Sequence, residues 1–120
     1  MIKVIVLCFL TSYSCLANST FKIETINSLK KKETHIIHAS NEKIIINKVS
    51  YSMMLFYSEP RFWSKLLTFT KETNRMRCSA GKYSFEVLKE GEKKQRYIGC
   101  MEDREFNDLR KELLVFLAKI

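Results

Sequence analysis

The chain has 120 residues, enough for one domain, and its 21 Lys and Arg against 13 Asp and Glu give a formal net charge of +8. This basic excess favours anionic partners through long-range attraction. Three glycines in a chain of this length leave little backbone for a deep active-site cleft, which argues against an enzyme.

The first 17 residues have the layout of a secretory signal peptide. Lys3 supplies an early charge, an apolar run follows from Val4 to Leu10, and Cys15-Leu16-Ala17 ends in a small residue. The apolar run is shorter than the about 20 residues that a membrane-spanning helix needs. We therefore expect cleavage near Ala17 and a periplasmic or secreted protein that is not an integral membrane protein. Residues 18–120 would form a single α+β domain.

Cleavage at this point leaves two of the four cysteines, Cys78 and Cys100. A cysteine pair in an exported chain is most simply a disulfide, and the chain-entropy model gives a loop of this length about 3 kcal/mol of stabilisation. Lipidation of Cys15 is an alternative fate for the leader, although Tyr13 stands where a lipoprotein has a small residue.

The first half of the chain predicts strands. Residues 18–26 indicate a first, weak strand, and residues 27–33 indicate a solvated loop. His35–Ala39 and Lys43–Val49 are rich in β-branched residues and flank a turn signal at Ser40-Asn41-Glu42, which predicts a hairpin.

The chain after this hairpin is ambiguous before it becomes helical. Apolar residues alternate as far as Tyr57, so the second strand can continue to that point, and a helix over 52–57 is the alternative. Ser58-Glu59-Pro60 then predicts a helix start with serine as its cap. The apolar stripe of this helix ends near Lys71, with Asn74 as a stop. Trp63 lies on the stripe, and we expect it in the core with its indole N–H bonded to an acceptor.

The segment from Cys78 to Cys100 predicts a second hairpin. Apolar and polar residues alternate from Tyr83 to Val87, Glu90-Gly91-Glu92 marks the turn, and Ile98 anchors the return strand. A direct cross-strand pairing of the two cysteines would centre the turn on Lys89 instead. A bulge, or a position for Cys78 just before the strand, would absorb the difference.

A final helix is predicted to run from Asp103, its cap, to about Ala118. Glu102 and Glu105 suit the positive end of the helix. Its apolar stripe would pack on the sheet, and a coiled-coil partner is the alternative. The predicted fold is therefore α+β, an antiparallel sheet of four to five strands with two helices packed on one face, in the order β-ββ-α-ββ-α, with one disulfide.

The sequence offers few groups for chemistry. His35 and His38 are three apart in a predicted strand, so they point to opposite faces and cannot share a metal ion. The carboxylates of Glu102, Asp103 and Glu105 cluster at the predicted start of the last helix, where acidic residues stabilise the helix dipole, so a catalytic role is not needed to explain them. Glycine-rich phosphate loops, nucleophile elbows and zinc-protease motifs are missing from the sequence. We therefore expect no catalytic residues, no metal and no cofactor.

The basic excess is the remaining signal. The candidate partner-binding residues are Lys30, Lys31, Lys32, Arg75, Arg77, Lys93, Lys94, Arg96 and Tyr97. Nucleic acid is not expected as the partner of an exported protein. The general plan resembles that of periplasmic inhibitor or immunity proteins, a similarity of plan that covers no diagnostic residues. The first hypothesis is a non-enzymatic binding protein that holds a protein partner, and the alternative is a basic module that binds anionic lipid headgroups or glycans.

Overall fold

The structure is a computed structural model that describes residues 18–40, 42–73 and 77–120. The expected signal peptide and its cleavage site lie outside the described residues, as do Asn74 and the candidate binding residue Arg75.

The described chain forms one antiparallel sheet of six strands and three helices. The strands are β1 (Ser19–Asn27), β2 (Lys32–Ala39), β3 (Lys43–Ile46), β4 (Val49–Ser52), β5 (Gly81–Lys89) and β6 (Gln95–Cys100), in the spatial order β4-β3-β2-β1-β5-β6. The helices are α1 (Met54–Ser58), α2 (Pro60–Thr68) and α3 (Arg104–Lys119). The strand predicted to be weak, β1, is central and pairs with both β2 and β5.

The structure has more strands and helices than predicted because the expected long strand after residue 43 is broken. Asn47 and Lys48 adopt φ values of 50° and 74° and reverse the chain between β3 and β4. A two-residue turn with positive φ at both positions matches the twist of a hairpin. After β4 the chain enters α1, so the helical alternative for this segment is the one that forms.

The helices pack on one face of the sheet, where the core lies. Phe21 and Ile23 of β1 and Phe85 of β5 point to this face and are buried. Helix α2 contributes Phe62, and helix α3 contributes Phe116, whose rings stack with centroids 4.3 Å apart. These contacts confirm the predicted apolar stripes of α2 and α3.

Two details around α2 differ from prediction. Ser58 does not cap α2: it is the last residue of α1, where its hydroxyl donates to the Leu55 carbonyl, and Glu59 occupies the N-cap position of α2 without a capping bond. Trp63 is buried in the core as expected, but its indole Nε1 has no hydrogen-bond partner among the described residues. Trp63 therefore stabilises the core by packing its ring against Phe56 and Phe62.

The disulfide between Cys78 and Cys100 is confirmed, with the two Cα atoms 5.1 Å apart. Lys82 pairs with Cys100 and Val87 with Gln95, so the β5–β6 hairpin is centred on Gly91, whose φ is 76°. Cys78 lies before the start of β5, which accounts for the offset between the cysteines and the turn. The sharp turn falls where the sequence predicts it because glycine adopts positive φ without strain.

Candidate functional site

The predicted basic residues do not form one patch. Asn27 pairs with Gly81, so Lys30 and Lys31 in the β1–β2 turn lie at the same end of the sheet as Arg77 and the disulfide. Lys93 belongs to the β5–β6 turn at the opposite end. The nine residues of β1 separate the two ends by about 25 Å.

The remaining candidates divide between the two faces of the sheet. Lys94 and Arg96 lie against Glu86, with nitrogen-to-oxygen distances of 3.5 and 3.7 Å. Tyr97 pairs with Phe85 and points to the helix side, where its hydroxyl donates to Gln95 Oε1 at 2.7 Å. One short run of sequence therefore supplies two different surfaces.

The face of the sheet opposite the helices is exposed to solvent, and no helix in the described part of the chain covers it. Side chains alternate along a strand, so the neighbours of the buried core residues point to this side. We call this surface the open face, and its strand members are Thr20, Lys22, Glu24, Ile26, Lys32, Thr34, Ile36, His38, Lys43, Ile45, Lys82, Ser84, Glu86, Leu88, Arg96 and Ile98. Lys94, just before β6, belongs to the same surface because it lines a hollow there and lies 3.5 Å from Glu86.

Apolar side chains run across the open face. Ile36 is 44% exposed and Leu88 is 47% exposed, and together they line a hollow of about 290 Å³. Ile36 also lines a second hollow, of about 420 Å³, with Ile45 and His38. The two hollows meet at Ile36 and form an apolar band from β3 to β5. Exposed apolar patches rimmed by polar residues mark interaction sites.

The charge on the open face is positive. Glu24 and Glu86 are its only carboxylates, and each lies within 4 Å of two cations. A hydrogen bond from Lys22 Nζ, 2.7 Å from Glu24 Oε1, lowers the pKa of Glu24 and raises that of Lys22. With both carboxylates compensated, the remaining lysines and Arg96 leave a surplus of positive charge.

Sequence reasoning missed the apolar part of this site. Leu88 breaks the alternation of Tyr83, Phe85 and Val87, and Ile36 stands beside the buried Ile37. An apolar residue at an outward strand position was therefore a usable signal.

The two histidines lie on opposite faces of the sheet, as predicted. His38 Nδ1 is 2.8 Å from Thr20 Oγ1, and His35 Nδ1 is 3.2 Å from Asn47 Nδ2.

Of the acidic residues predicted to serve the last helix, Glu105 lies in its first turn, whereas Glu102 and Asp103 bind other segments of the chain. The Glu102 carboxylate accepts hydrogen bonds from the Ser79 N–H at 2.6 Å and the Ser79 hydroxyl at 2.8 Å, and the backbone bond is the main reason that its pKa falls to about 2. Asp103 occupies the N-cap position of α3 without a capping bond. Its Oδ2 accepts from the Cys100 N–H at 3.2 Å and from the Thr73 hydroxyl.

Metal binding has little support in the described residues. The one group of three possible ligands within 4.8 Å of one another is Cys78, Cys100 and Glu102, and the disulfide occupies both sulfur atoms.

Among the described helices, none combines the length and the apolar character that crossing a membrane requires.

Comparisons with known proteins return no relative. No family model, no curated protein and no solved structure matches the chain. The open face is thus the feature from which we infer a function.

Proposed function

We propose that this is an exported, non-enzymatic binding protein that holds an acidic protein partner on its open face, in the manner of an inhibitor or immunity protein. The supporting observation is the apolar band of Ile36, Ile45 and Leu88 within a surface of surplus positive charge. Apolar contact supplies affinity, and complementary charge orients the partner and excludes others.

The positive charge of the open face also favours some binding partners over others. A second copy of the chain would place one positive face against another, which like-charge repulsion opposes. A partner with apolar side chains for the hollows and with Asp and Glu around them satisfies both components of the face. Its association would weaken as salt rises, because exposed charge contacts are screened at a Debye length of about 8–10 Å near physiological ionic strength.

The test is a pull-down in which immobilised wild type and two variants are compared for the partner protein that each retains from an extract of the organism that makes this protein. Ile36→Asp places a charge where the two hollows meet, and Val115→Asp changes a residue of α3 that is 52% exposed and lies away from the open face. We expect wild type and Val115→Asp to retain one acidic protein in stoichiometric amount and Ile36→Asp to lose it.

The captured protein must then be purified and its affinity measured with the same variants. A loss of at least tenfold for Ile36→Asp alone, with both variants folded by circular dichroism, supports the proposal. Equal affinities for the two variants, or no stoichiometric protein retained by wild type, would overturn it.

A second candidate function rests on the tip of the β1–β2 turn. Leu29 is 75% exposed there and is followed directly by Lys30, Lys31 and Lys32. Asn27 Oδ1 accepts from the Leu29 N–H at 2.9 Å and the Lys31 N–H at 3.0 Å, which holds the tip in shape. An exposed leucine beside lysines suits the surface of an anionic membrane.

Co-sedimentation with phosphatidylcholine vesicles, with and without phosphatidylglycerol, tests this second function. We expect binding only to the anionic vesicles, reduced by Leu29→Ser and unchanged by Leu114→Ser on α3, which alters a leucine that is 41% exposed. Equal loss in both variants, or no binding by wild type, contradicts it.

A further inference from the structure

Strand β4 is one edge of the sheet, and no strand of the described chain lies beyond it. The backbone of β3 fixes which groups of β4 face outward. The Asn47 N–H donates to the Ile36 carbonyl of β2 at 2.9 Å, so the backbone groups of Asn47 and, by alternation, Ile45 are directed at β2. Ser50 lies opposite Ile45, so its own N–H and C=O point away from the sheet, as do those of Ser52.

This edge lacks the features that usually prevent edge-to-edge pairing, which are charged side chains, prolines and bulges. Val49–Ser52 contain no charge and no proline, and their pairing with β3 is continuous. The opposite edge, β6, carries Arg96, and its Ile98 carbonyl accepts from the Thr73 N–H at 3.1 Å. Of the two edges, β4 is therefore the one open to another strand.

Exposed apolar side chains flank this strand. Val49 is 52% exposed at the start of β4, and Met54 and Tyr57, on the helix α1 that follows β4, are 71% and 50% exposed. A strand added beside β4 would therefore meet backbone donors and acceptors along its length and apolar side chains at its ends.

We propose that β4 pairs with β4 of a second copy of this chain in a two-fold symmetric, antiparallel dimer. In the register centred on Tyr51, Ser50 lies opposite the partner's Ser52, and both such pairs exchange backbone hydrogen bonds. The same register brings Val49 to the start of the partner's α1 and so covers apolar surface that is exposed in the single chain.

Charge explains why a second copy fits this edge although the net charge is +8. An acidic partner finds no cation on β4 itself, whereas a second copy brings the same uncharged strand. The nearest lysines remain far apart: two copies of Lys43, on β3, would be separated by three strand spacings, about 14 Å, and two copies of Lys48 by about 20 Å along the strands. Both distances exceed the Debye length of about 8–10 Å near physiological ionic strength.

The dimer is independent of the proposed function. Its two-fold axis would be perpendicular to the sheet, so both open faces would lie on the same side of one continuous sheet. The apolar band proposed for partner capture runs from β3 to β5 and leaves β4 outside it, so dimerisation and partner capture can fail separately.

Sedimentation velocity of the purified protein, from micromolar to millimolar concentration, measures the association. We expect the sedimenting mass to double as the concentration rises. Met54→Asp places a charge against the partner and should weaken the dimer by at least about tenfold, whereas Val115→Asp on α3 should leave it unchanged. Ser50→Pro removes one outward N–H, a change that an edge strand tolerates, and should weaken the dimer as well. A wild type that stays monomeric, or equal weakening by Met54→Asp and Val115→Asp with both folded by circular dichroism, would overturn the proposal.

Two cysteine variants test the register. Directly opposed residues of a hydrogen-bonded antiparallel pair have Cα atoms about 5.5 Å apart, within the range of a disulfide. Mild oxidation of a mixture of Ser50→Cys and Ser52→Cys should therefore link the two variants, and mass spectrometry of tryptic peptides identifies the bond. Each variant alone should link far less, because the two copies of one residue lie diagonally across the pair. Equal linking in the mixture and in the separate variants would contradict the proposed pairing.

Discussion

Gly99 on β6 is the position where the smallest change should have a large effect. A Cβ atom there would lie 2.5 Å from Tyr83 Oη and 2.6 Å from two carbons of the Tyr83 ring, which is closer than a Cβ atom approaches atoms to which it is not bonded. The ring has little room to move, because it stacks on Phe106 with centroids 4.0 Å apart and its hydroxyl donates to the Lys71 carbonyl at 2.7 Å.

The expected cost of Gly99→Ala follows from these contacts. Overpacking a core costs about 1–3 kcal/mol, and losing the hydrogen bond of Tyr83 adds about 1 kcal/mol. We therefore expect the free energy of unfolding to fall by about 2–4 kcal/mol, a large part of the about 5–15 kcal/mol of a typical domain. Urea denaturation followed by circular dichroism measures this, with Ile98→Ala on the exposed side of the same strand as the control.

A double-mutant cycle with Tyr83→Leu tests the stated cause. The smaller side chain relieves the clash, so Gly99→Ala should cost at least about 1 kcal/mol less in that background. Sucrose in all samples keeps the weakest variant folded. A Gly99→Ala protein within about 0.5 kcal/mol of wild type, or an equal cost in both backgrounds, would refute the close approach of Gly99 to Tyr83.

Three further predictions concern the same end of the sheet. Replacing Cys78 and Cys100 by Ser should lower the free energy of unfolding by about 3 kcal/mol, and urea midpoints that coincide with wild type would contradict this. Glu102 has a folded pKa of about 2 against an ordinary 4.5, so its contribution to stability is present above pH 4.5 and is lost as the pH falls toward 2. Glu102→Gln should therefore reduce the loss in the free energy of unfolding between pH 4.5 and 2. An unchanged loss in this pH range would show that the Glu102 carboxylate does not stabilise the folded state. Burial raises the pKa of Tyr83 to about 12 from 10.0, so stability should fall as the pH rises above 10, and ultraviolet absorbance should detect one late-titrating tyrosine that disappears in Tyr83→Phe.

Local patterns predicted much of the fold correctly. The spacing of Phe106, Leu109 and Leu113 indicated the last helix, and Gly91 between two alternating segments indicated the second hairpin. The turn at Asn47-Lys48 was missed because lysine replaces the glycine that usually follows asparagine in such turns. The missed turn accounts for the extra strand.

Local rules placed Glu105 correctly in the first turn of the last helix but misassigned Glu102 and Asp103. Sequence position places Glu102 and Asp103 where a helix end would attract them, but Ser79 and Thr73 reach these carboxylates from elsewhere in the chain. Backbone N–H groups of a loop are as good donors to a carboxylate as those of a helix end, and only the folded arrangement decides which are near.

The sequence by itself determined the cysteine pair, the two apolar helix stripes and the basic excess, because each depends on composition or on short periodicities. Which charges share a surface depended on tertiary structure. Pairing of β1 with β5, far apart in the chain, builds the open face, and the register of β5 with β6 brings Arg96 opposite Glu86 on that face. Register is set by long-range packing, since each strand must bury its apolar side, and no local stretch of sequence contains that information.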